Sequence, residues 1–133
     1  MGWLRLAVEC ITKNYVNFDG RANRAEYWGF ELLMFLVMFA LSTTIGIVAG
    51  LLGASNTGLL VLSYVVIGLF SVAMLCPAIA VGVRRLHDIG KGGGWIFISF
   101  IPIIGGIWFL VLTLLHGERS ENRFGQVPAT TIR

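Results

Sequence analysis

The sequence predicts an all-α polytopic membrane protein, with about three transmembrane helices and an amphipathic interfacial helix before them. Of its 133 residues, 56% are hydrophobic and only 13% are charged, whereas ordinary globular domains have about 25% charged residues. The charges are also segregated, because neither residues 32–83 nor residues 92–115 contain Asp, Glu, Lys, Arg or His. A soluble fold cannot cover two such blocks with polar surface, so we expect hydrocarbon to surround them.

Residues 3–18 have the pattern of a short amphipathic helix. Apolar residues recur at three- and four-residue spacing, and Arg5, Glu9 and Lys13 form an i, i+4 charge series on the opposite face. Such a helix lies either in the membrane interface with its apolar side down or against the rest of the protein. The pattern leaves both arrangements open.

The first span is predicted over residues 24–52. Asn23 fits a helix N-cap, and Glu26 three residues later completes a capping box. Small residues repeat every four positions along one face, which lets another helix approach closely, either the second span or a second copy of the chain. These helix-packing residues are Ser42, Gly46, Gly50 and Ala54.

Two further apolar segments follow a short uncharged turn. The second span is predicted over residues 59–88, with Pro77 expected to kink it. The third segment, 95–115, is interrupted by Pro102 and a glycine pair. A single kinked span is favoured over a re-entrant hairpin, because each half alone is too short to cross. The polar tail, 116–133, is expected to be loosely ordered.

Lys and Arg predict the orientation, because they are enriched in short cytoplasmic segments. They occur before the first span and in the loop after the second, but are absent from the turn between the spans. The N-terminus and the second loop should therefore be cytoplasmic. A third crossing would place the tail outside, although it carries Arg119, Arg123 and Arg133. That conflict is the main argument for the hairpin alternative.

Two polar clusters should meet at the cytoplasmic interface, since two spans joined by a tight turn bring residues 20–28 and 84–91 together. Arginines there can grip the phosphate of an anionic lipid headgroup, or they can pair with neighbouring acidic residues as membrane anchors. The candidate ligand-binding residues are Arg21, Arg24, Glu26, Arg84, Arg85, His87, Asp88 and Lys91.

Catalytic, metal and cofactor sites are not predicted. Cys10 and Cys76 form no CxxC or Cys/His cluster, and His87 with Asp88 supplies too few ligands for a metal. No nucleophile stands beside a base, and no ionisable group lies in the middle of a span, where ion-coupled transporters carry one. A nucleic-acid-binding protein needs a basic face with aromatic side chains or a helix that reads the bases. The sequence shows no such face, so nucleic-acid binding is not predicted.

Three segments resemble domain-of-unknown-function family 805, small bacterial inner membrane proteins of the YhaH type. They are residues 18–28, residues 84–91 with Trp95, and residues 121–125, and the Arg-Arg-Leu-His-Asp-x-Gly-Lys signature is specific. The resemblance covers nearly the whole chain and implies a bacterial inner-membrane location without implying an activity. By motif match it adds Gly90, Asn122, Arg123 and Gly125 to the positions above. It implies that the tail has a role, and Asn122 and Arg123 become further ligand-binding candidates.

The leading hypothesis is therefore a non-enzymatic membrane protein. Its cytoplasmic polar cluster would bind an anionic lipid headgroup or a partner protein. The rival hypothesis is a small transport or pore component that forms homo-oligomers through the small-residue face. The third hypothesis is an intramembrane enzyme.

Overall fold

The computed structural model describes residues 2–53 and 57–129 and is helical, as the sequence predicts. Within those ranges no strand forms, and the β-type pairing is an isolated bridge between Asn122 and Gly125. The elements are α1 (Gly2–Thr12), α2 (Arg24–Leu52), α3 (Thr57–Asp88), a 3₁₀ helix (Gly93–Phe100) and α4 (Ile104–Leu114). The all-α membrane fold class is thereby confirmed.

Helices α2 and α3 are the two helices long and apolar enough to cross a membrane in the part of the chain that the structure describes. Their 29 and 32 residues extend about 43 and 48 Å, against about 30 Å of hydrocarbon. Asn23 is the N-cap of α2, and its side-chain oxygen accepts a hydrogen bond from the Glu26 N–H at 2.8 Å. The excess turns carry polar residues beyond the apolar zone.

Helix α1 is shorter than the sequence predicts: it ends at Thr12 and not near residue 18. Its last turn closes on the Glu9 carbonyl, which accepts hydrogen bonds from the backbone N–H groups of both Lys13 and Asn14. The helix packs on α2 with Ala7 and Cys10 fully buried. Packing on the protein is therefore observed, and an interfacial position for the side of α1 that carries the exposed Leu4 and Val8 stays a prediction.

Tyr15, just beyond α1, satisfies a backbone group that a proline leaves unpaired in α3. Pro77 has no N–H to donate to the carbonyl of Ala73, four residues earlier. The Tyr15 hydroxyl donates a hydrogen bond to that carbonyl instead. The loop after α1 thus stabilises the proline-containing turn of the second long helix.

The segment after α3 folds back on itself. The 3₁₀ helix and α4 pack together, and the backbone of Ile98 closely approaches Gly105. They are joined by a γ-turn in which Ile103 has φ 65° and the Ile104 N–H donates to the Pro102 carbonyl at 2.7 Å. We call residues 93–114 the apolar hairpin.

Both ends of the apolar hairpin lie beside the C-terminal end of α3. At its start, Gly93 faces the Val83 side chain. At its end, Arg85 donates to the carbonyls of Thr113 and Leu115. The hairpin therefore leaves and returns to one end of the helix pair.

The packed core lies at that same end. The buried apolar cluster comprises Ala7, Cys10, Ala22, Tyr27, Phe30 and Val81. Among the described residues from Glu31 to Cys76, in contrast, only Ser63 is buried. Ser42, Gly46 and Gly50 are exposed, and open space surrounds both glycines, so within residues 2–53 and 57–129 no neighbouring helix packs on this face. Ala54, the fourth residue of that predicted face, lies outside the described residues.

Candidate functional site

The two polar clusters and the tail meet in one assembly, which we call the polar junction: residues 20–26, 84–91 and 116–126. Two backbone hydrogen bonds join its parts. The Ala22 N–H donates to the Arg84 carbonyl at 2.9 Å, and the Glu118 N–H donates to the Asp88 carbonyl at 2.8 Å. The segment before α2, the end of α3 and the tail are therefore held together by main-chain contacts.

Asp88 is the centre of the polar junction. Its carboxylate pairs with Arg21 at 3.0 Å through one oxygen and with Arg85 at 2.6 Å through the other. All three side chains are buried, and Arg85 has no exposed surface. One carboxylate thus pairs with two buried guanidinium groups, one from the segment before α2 and one from the end of α3.

Backbone carbonyls satisfy the remaining donors of these two arginines. Arg21 donates to the carbonyls of Glu118 and Ser120, and also to that of Gly125 at 3.4 Å. Arg85 donates to Thr113 and Leu115, and also to Ala22. A buried guanidinium is stable only when its donors are paired, so the tail is required to complete this network.

A second buried ion pair joins Arg84 to Glu26 at 2.5 Å and contacts Cys10. The Cys10 Sγ lies 3.6 Å from the Glu26 carboxylate and 3.7 Å from an Arg84 nitrogen. Burial, with the nearby Glu26 charge, raises the pKa of the Cys10 thiol to about 12. Arg84 Nε and Trp28 Nε1 are buried with no hydrogen-bond partner among the described residues.

His87 ties the tail to the segment before α2. Its Nδ1 lies 3.0 Å from the Gly20 carbonyl, and its ring stacks on Phe124 with centroids 3.9 Å apart. The His87 carbonyl accepts a hydrogen bond from the Asn122 side chain at 3.0 Å. These contacts use His87 and Asn122 in packing the tail, and they hold Phe124 over the end of α3.

Four further cations surround the buried network, and we call them the outer cations. They are Arg24, Lys91, Arg119 and Arg123. Lys91 lies over the Trp95 ring at 4.4 Å, and Arg123 lies over the Phe124 ring at 4.6 Å. Arg24 and Arg119 are exposed, so their charges are accessible to an anion.

Arg24 and Arg119 line the same cleft, which has a volume of about 310 Å³. The cleft is at the start of α2, and its other lining residues are Asn23, Ala25, Asp88, His116 and Gly117. The first-turn N–H groups of a helix have no intrahelical acceptor and carry a partial positive charge. Two arginines, a histidine and a helix N-terminus therefore converge on one opening.

Gly117 is a position that sequence reasoning missed. A Cβ at this residue would overlap the Asp88 carboxylate, so only glycine allows the tail to cross the junction so closely. Phe124 was also missed as a contact residue, although it lies within the matched 121–125 motif. Nothing in the local pattern around Gly117 signals a contact with a residue 29 positions away.

The structure brings the sequence-predicted residues together but divides them into two layers. The inner layer contains Arg21, Glu26, Arg84, Arg85, His87 and Asp88, all buried and engaged with the protein itself. Arg24, Lys91 and Arg123 lie in the outer layer, and Asn122 bridges the two. Ligand binding by these residues stays a prediction.

Residues 15–126 match a family model described as a protein of unknown function, DUF805. The chain belongs to this family of helical membrane proteins. Inner membrane protein YhaI of Escherichia coli K12 is 36% identical over 118 residues, covering 89% of this chain and 91% of YhaI. Inner membrane protein YhaH of the same strain is 36% identical over 121 residues, covering 89% and 92%.

A more distant relative is the uncharacterized protein YiiR of the same strain. It is 27% identical over 135 residues, which cover 83% of this chain and 84% of YiiR. No solved structure matched the chain. The family membership and the inner-membrane relatives identify the chain as a bacterial inner membrane protein, and they assign no chemical activity.

Proposed function

We propose that the protein is a non-enzymatic, multi-pass inner membrane protein that binds an anionic phospholipid headgroup at its polar junction. The observation that carries the proposal is the cleft at the start of α2. Its arginines, Arg24 and Arg119, are exposed, whereas the inner arginines are already paired within the protein. The headgroup phosphate would sit between the outer arginines and the first turn of α2.

A lipid is favoured over a partner protein because of where the cleft lies. It is located about two turns before α2 enters its apolar segment, and it includes His116, the first polar residue after the apolar hairpin. A bilayer lipid reaches this depth without leaving the membrane. Each Lys or Arg near an anionic membrane surface contributes about 1 kcal/mol of attraction.

The orientation is part of the proposal. With the basic polar junction in the cytoplasm, the N-terminus and the tail are on the same side and α2 and α3 cross once each. The apolar hairpin then enters and leaves from the cytoplasmic side without crossing, which resolves the conflict between a third span and the three arginines of the tail. A periplasm-sensitive reporter fused after Arg133 should stay inactive, and an active reporter would contradict this topology.

The lipid proposal is tested by comparing the double variant Arg24→Gln/Arg119→Gln with the wild type. Binding of phosphatidylglycerol and phosphatidylcholine is measured on the full-length protein by native mass spectrometry. Losing two surface arginines at about 1 kcal/mol each should weaken phosphatidylglycerol binding roughly 30-fold. Phosphatidylcholine binding should change little.

The matched control removes two charges from a different face. Arg5 and Lys13 are exposed on α1 and flank Glu9 at 3.3 Å. The variant Arg5→Gln/Lys13→Gln should retain most of the phosphatidylglycerol selectivity. An equal loss of phosphatidylglycerol binding in both variants would mean that diffuse charge attracts the lipid. No loss in either variant would refute lipid binding at the cleft. Competition by inorganic phosphate distinguishes a headgroup site from a free-anion site.

The small-residue face supports a second candidate function, a small oligomeric pore component. Ser42, Gly46 and Gly50 are exposed along α2, and no part of the described chain covers the two glycines. A second copy of the chain can therefore approach this face closely. Dimer formation in bilayers that is lost in Gly46→Leu and Gly50→Leu would support this candidate, and a concentration-independent monomer would exclude it.

A further inference from the structure

A cavity between the two long helices collects an unusual set of side chains. It has a volume of about 200 Å³ and lies between α2 and α3, below the polar junction. The chain contains four methionines, and three of them, Met34, Met38 and Met74, line this one cavity. The fourth is the first residue of the chain.

The helical register explains how these sulfurs meet. Met34 and Met38 are four residues apart and therefore lie above one another on one face of α2. Met74 faces them from α3. Each methionine has three rotatable bonds and a polarisable thioether, so the sulfurs can turn toward a common point.

A carboxylate completes the set. Glu31 lines the same cavity, one turn before Met34. It lies about 10 Å along α2 from Arg24, close to the headgroup boundary. Its carboxylate accepts a hydrogen bond from the Tyr27 hydroxyl one turn earlier, and an ionisable side chain beside the hydrocarbon is a candidate functional group. The sequence pattern did not predict a role for Glu31, because this residue immediately precedes the uncharged block.

From this arrangement we infer that the cavity is a binding site for a soft monovalent metal ion, Cu(I) or its redox-inert analogue Ag(I). Thioether ligands select Cu(I) over the hard divalent ions that prefer oxygen. The three neutral sulfurs would bind the ion, and the Glu31 carboxylate would balance its single positive charge inside the apolar surroundings.

The inference does not involve the polar junction, so it stands independently of lipid binding. It also differs from the metal sites that His, Cys, Asp and Glu form, and no group of three or more such residues is placed to bind a metal within the described chain. Methionine also fills irregular gaps between helices. Leucine fills such gaps too but offers no ligand atom, and this difference is the basis of the test.

The experiment uses the full-length protein in detergent with ¹³C-labelled methionine methyl groups, titrated with silver nitrate in chloride-free buffer. The thiols of Cys10 and Cys76 take up silver first. The methyl resonances of Met34, Met38 and Met74 should then shift together and reach saturation over one further equivalent of silver. The resonance of Met1 should not follow them. If the three resonances do not respond once silver exceeds the two thiols by one equivalent, the site does not exist.

The matched variant is Met34→Leu/Met38→Leu/Met74→Leu. Leucine is close to methionine in volume, so the melting temperature should change little. Silver binding should fall by one equivalent per chain, and Glu31→Gln should weaken it by about 10- to 100-fold. Because Cys10 and Cys76 are present in both chains, thiol binding cancels in the comparison. Unchanged stoichiometry in the folded triple variant would overturn the inference.

Discussion

The polar junction and the long apolar segments of α2 and α3 are held together in opposite ways. In the junction, Arg85 and Asp88 are buried and almost every donor has a partner within the chain. Along residues 31–76, the described part of the helices buries only Ser63 and exposes most of its large apolar side chains. The junction is specified by contacts, whereas the apolar segments are specified by their solvent, the hydrocarbon.

This difference determines where substitutions are tolerated. An apolar exchange on the lipid-facing surface of α2 removes few contacts, because lipid tails are as apolar as leucine. A change in the junction, in contrast, leaves a buried charge without its partner. The comparison predicts that stability is concentrated at one end of the molecule, and four measurements test it in order of expected effect.

The largest effect is expected for Asp88→Asn. The substitution keeps the shape of the side chain but removes the charge that faces both Arg21 and Arg85. Breaking a buried pair in this way costs about 3–5 kcal/mol. The free energy of unfolding in detergent measures the loss. Asp19→Asn, at an exposed position, is the control, and equal effects of the two substitutions would remove the basis of the comparison.

The next largest effect is expected for Gly117→Ala. The added methyl group would overlap the Asp88 carboxylate and push the tail away from the junction. Overpacking of this kind costs about 1–3 kcal/mol, measured by the same unfolding experiment. Gly106→Ala is the matched control, since nothing lies within 4 Å of its Cβ position. A tolerated Gly117→Ala would show that the tail is not held closely.

A smaller effect is expected for Tyr15→Phe, which removes one hydroxyl at the edge of the apolar segments. The Ala73 carbonyl then loses its hydrogen-bond donor, because Pro77 cannot replace it. An unpaired carbonyl of this kind costs about 1–2 kcal/mol. Tyr64→Phe serves as control because Tyr64 is 75% exposed. If both variants unfold alike, the Tyr15 hydrogen bond contributes nothing.

At neutral pH the smallest effect is expected from the Cys10 thiol, which changes stability only when the pH is raised. Folding raises the pKa of Cys10 from 9.0 to about 12, so the unfolded chain loses its thiol proton at lower pH than the folded chain. The contribution of this thiol is therefore complete below pH 9 and is lost as the pH rises above 9. Stability of the wild type should fall more steeply between pH 9 and 11 than that of Cys10→Ala. Parallel curves would contradict the assigned pKa.

The apolar part of the fold could be predicted from composition and local pattern alone. Charge-free runs identify α2 and α3, and the Asn23–Glu26 pair identifies the start of α2, because these signals act between neighbours in the chain. The end of α1 was predicted too late. Its periodic pattern continues to residue 18, but the side chains of Asn14 and Asn17 hydrogen-bond to each other and form a turn beyond Thr12.

The candidate site was predicted only as a set of residues. The motifs identified Arg21, Arg84, Arg85 and Asp88, yet nothing in them distinguished paired arginines from available ones. That division depends on carbonyls of residues 113–125, whose approach to the arginines is a matter of tertiary structure. The Pro102 interruption in the apolar hairpin likewise left two topologies open, because a local break does not specify where the chain goes next.

The completion of the arginine network by residues 113–125 has a consequence for biogenesis. Several acceptors of Arg21 and Arg85 are carbonyls of residues 113–125, which are synthesised after α2 and α3. Until then, both membrane helices are already synthesised while the two arginines have only Asp88 and the Ala22 carbonyl as partners. A product stopped before this segment leaves several of these guanidinium donors without acceptors, so quality-control proteases should distinguish it from a product that contains the segment.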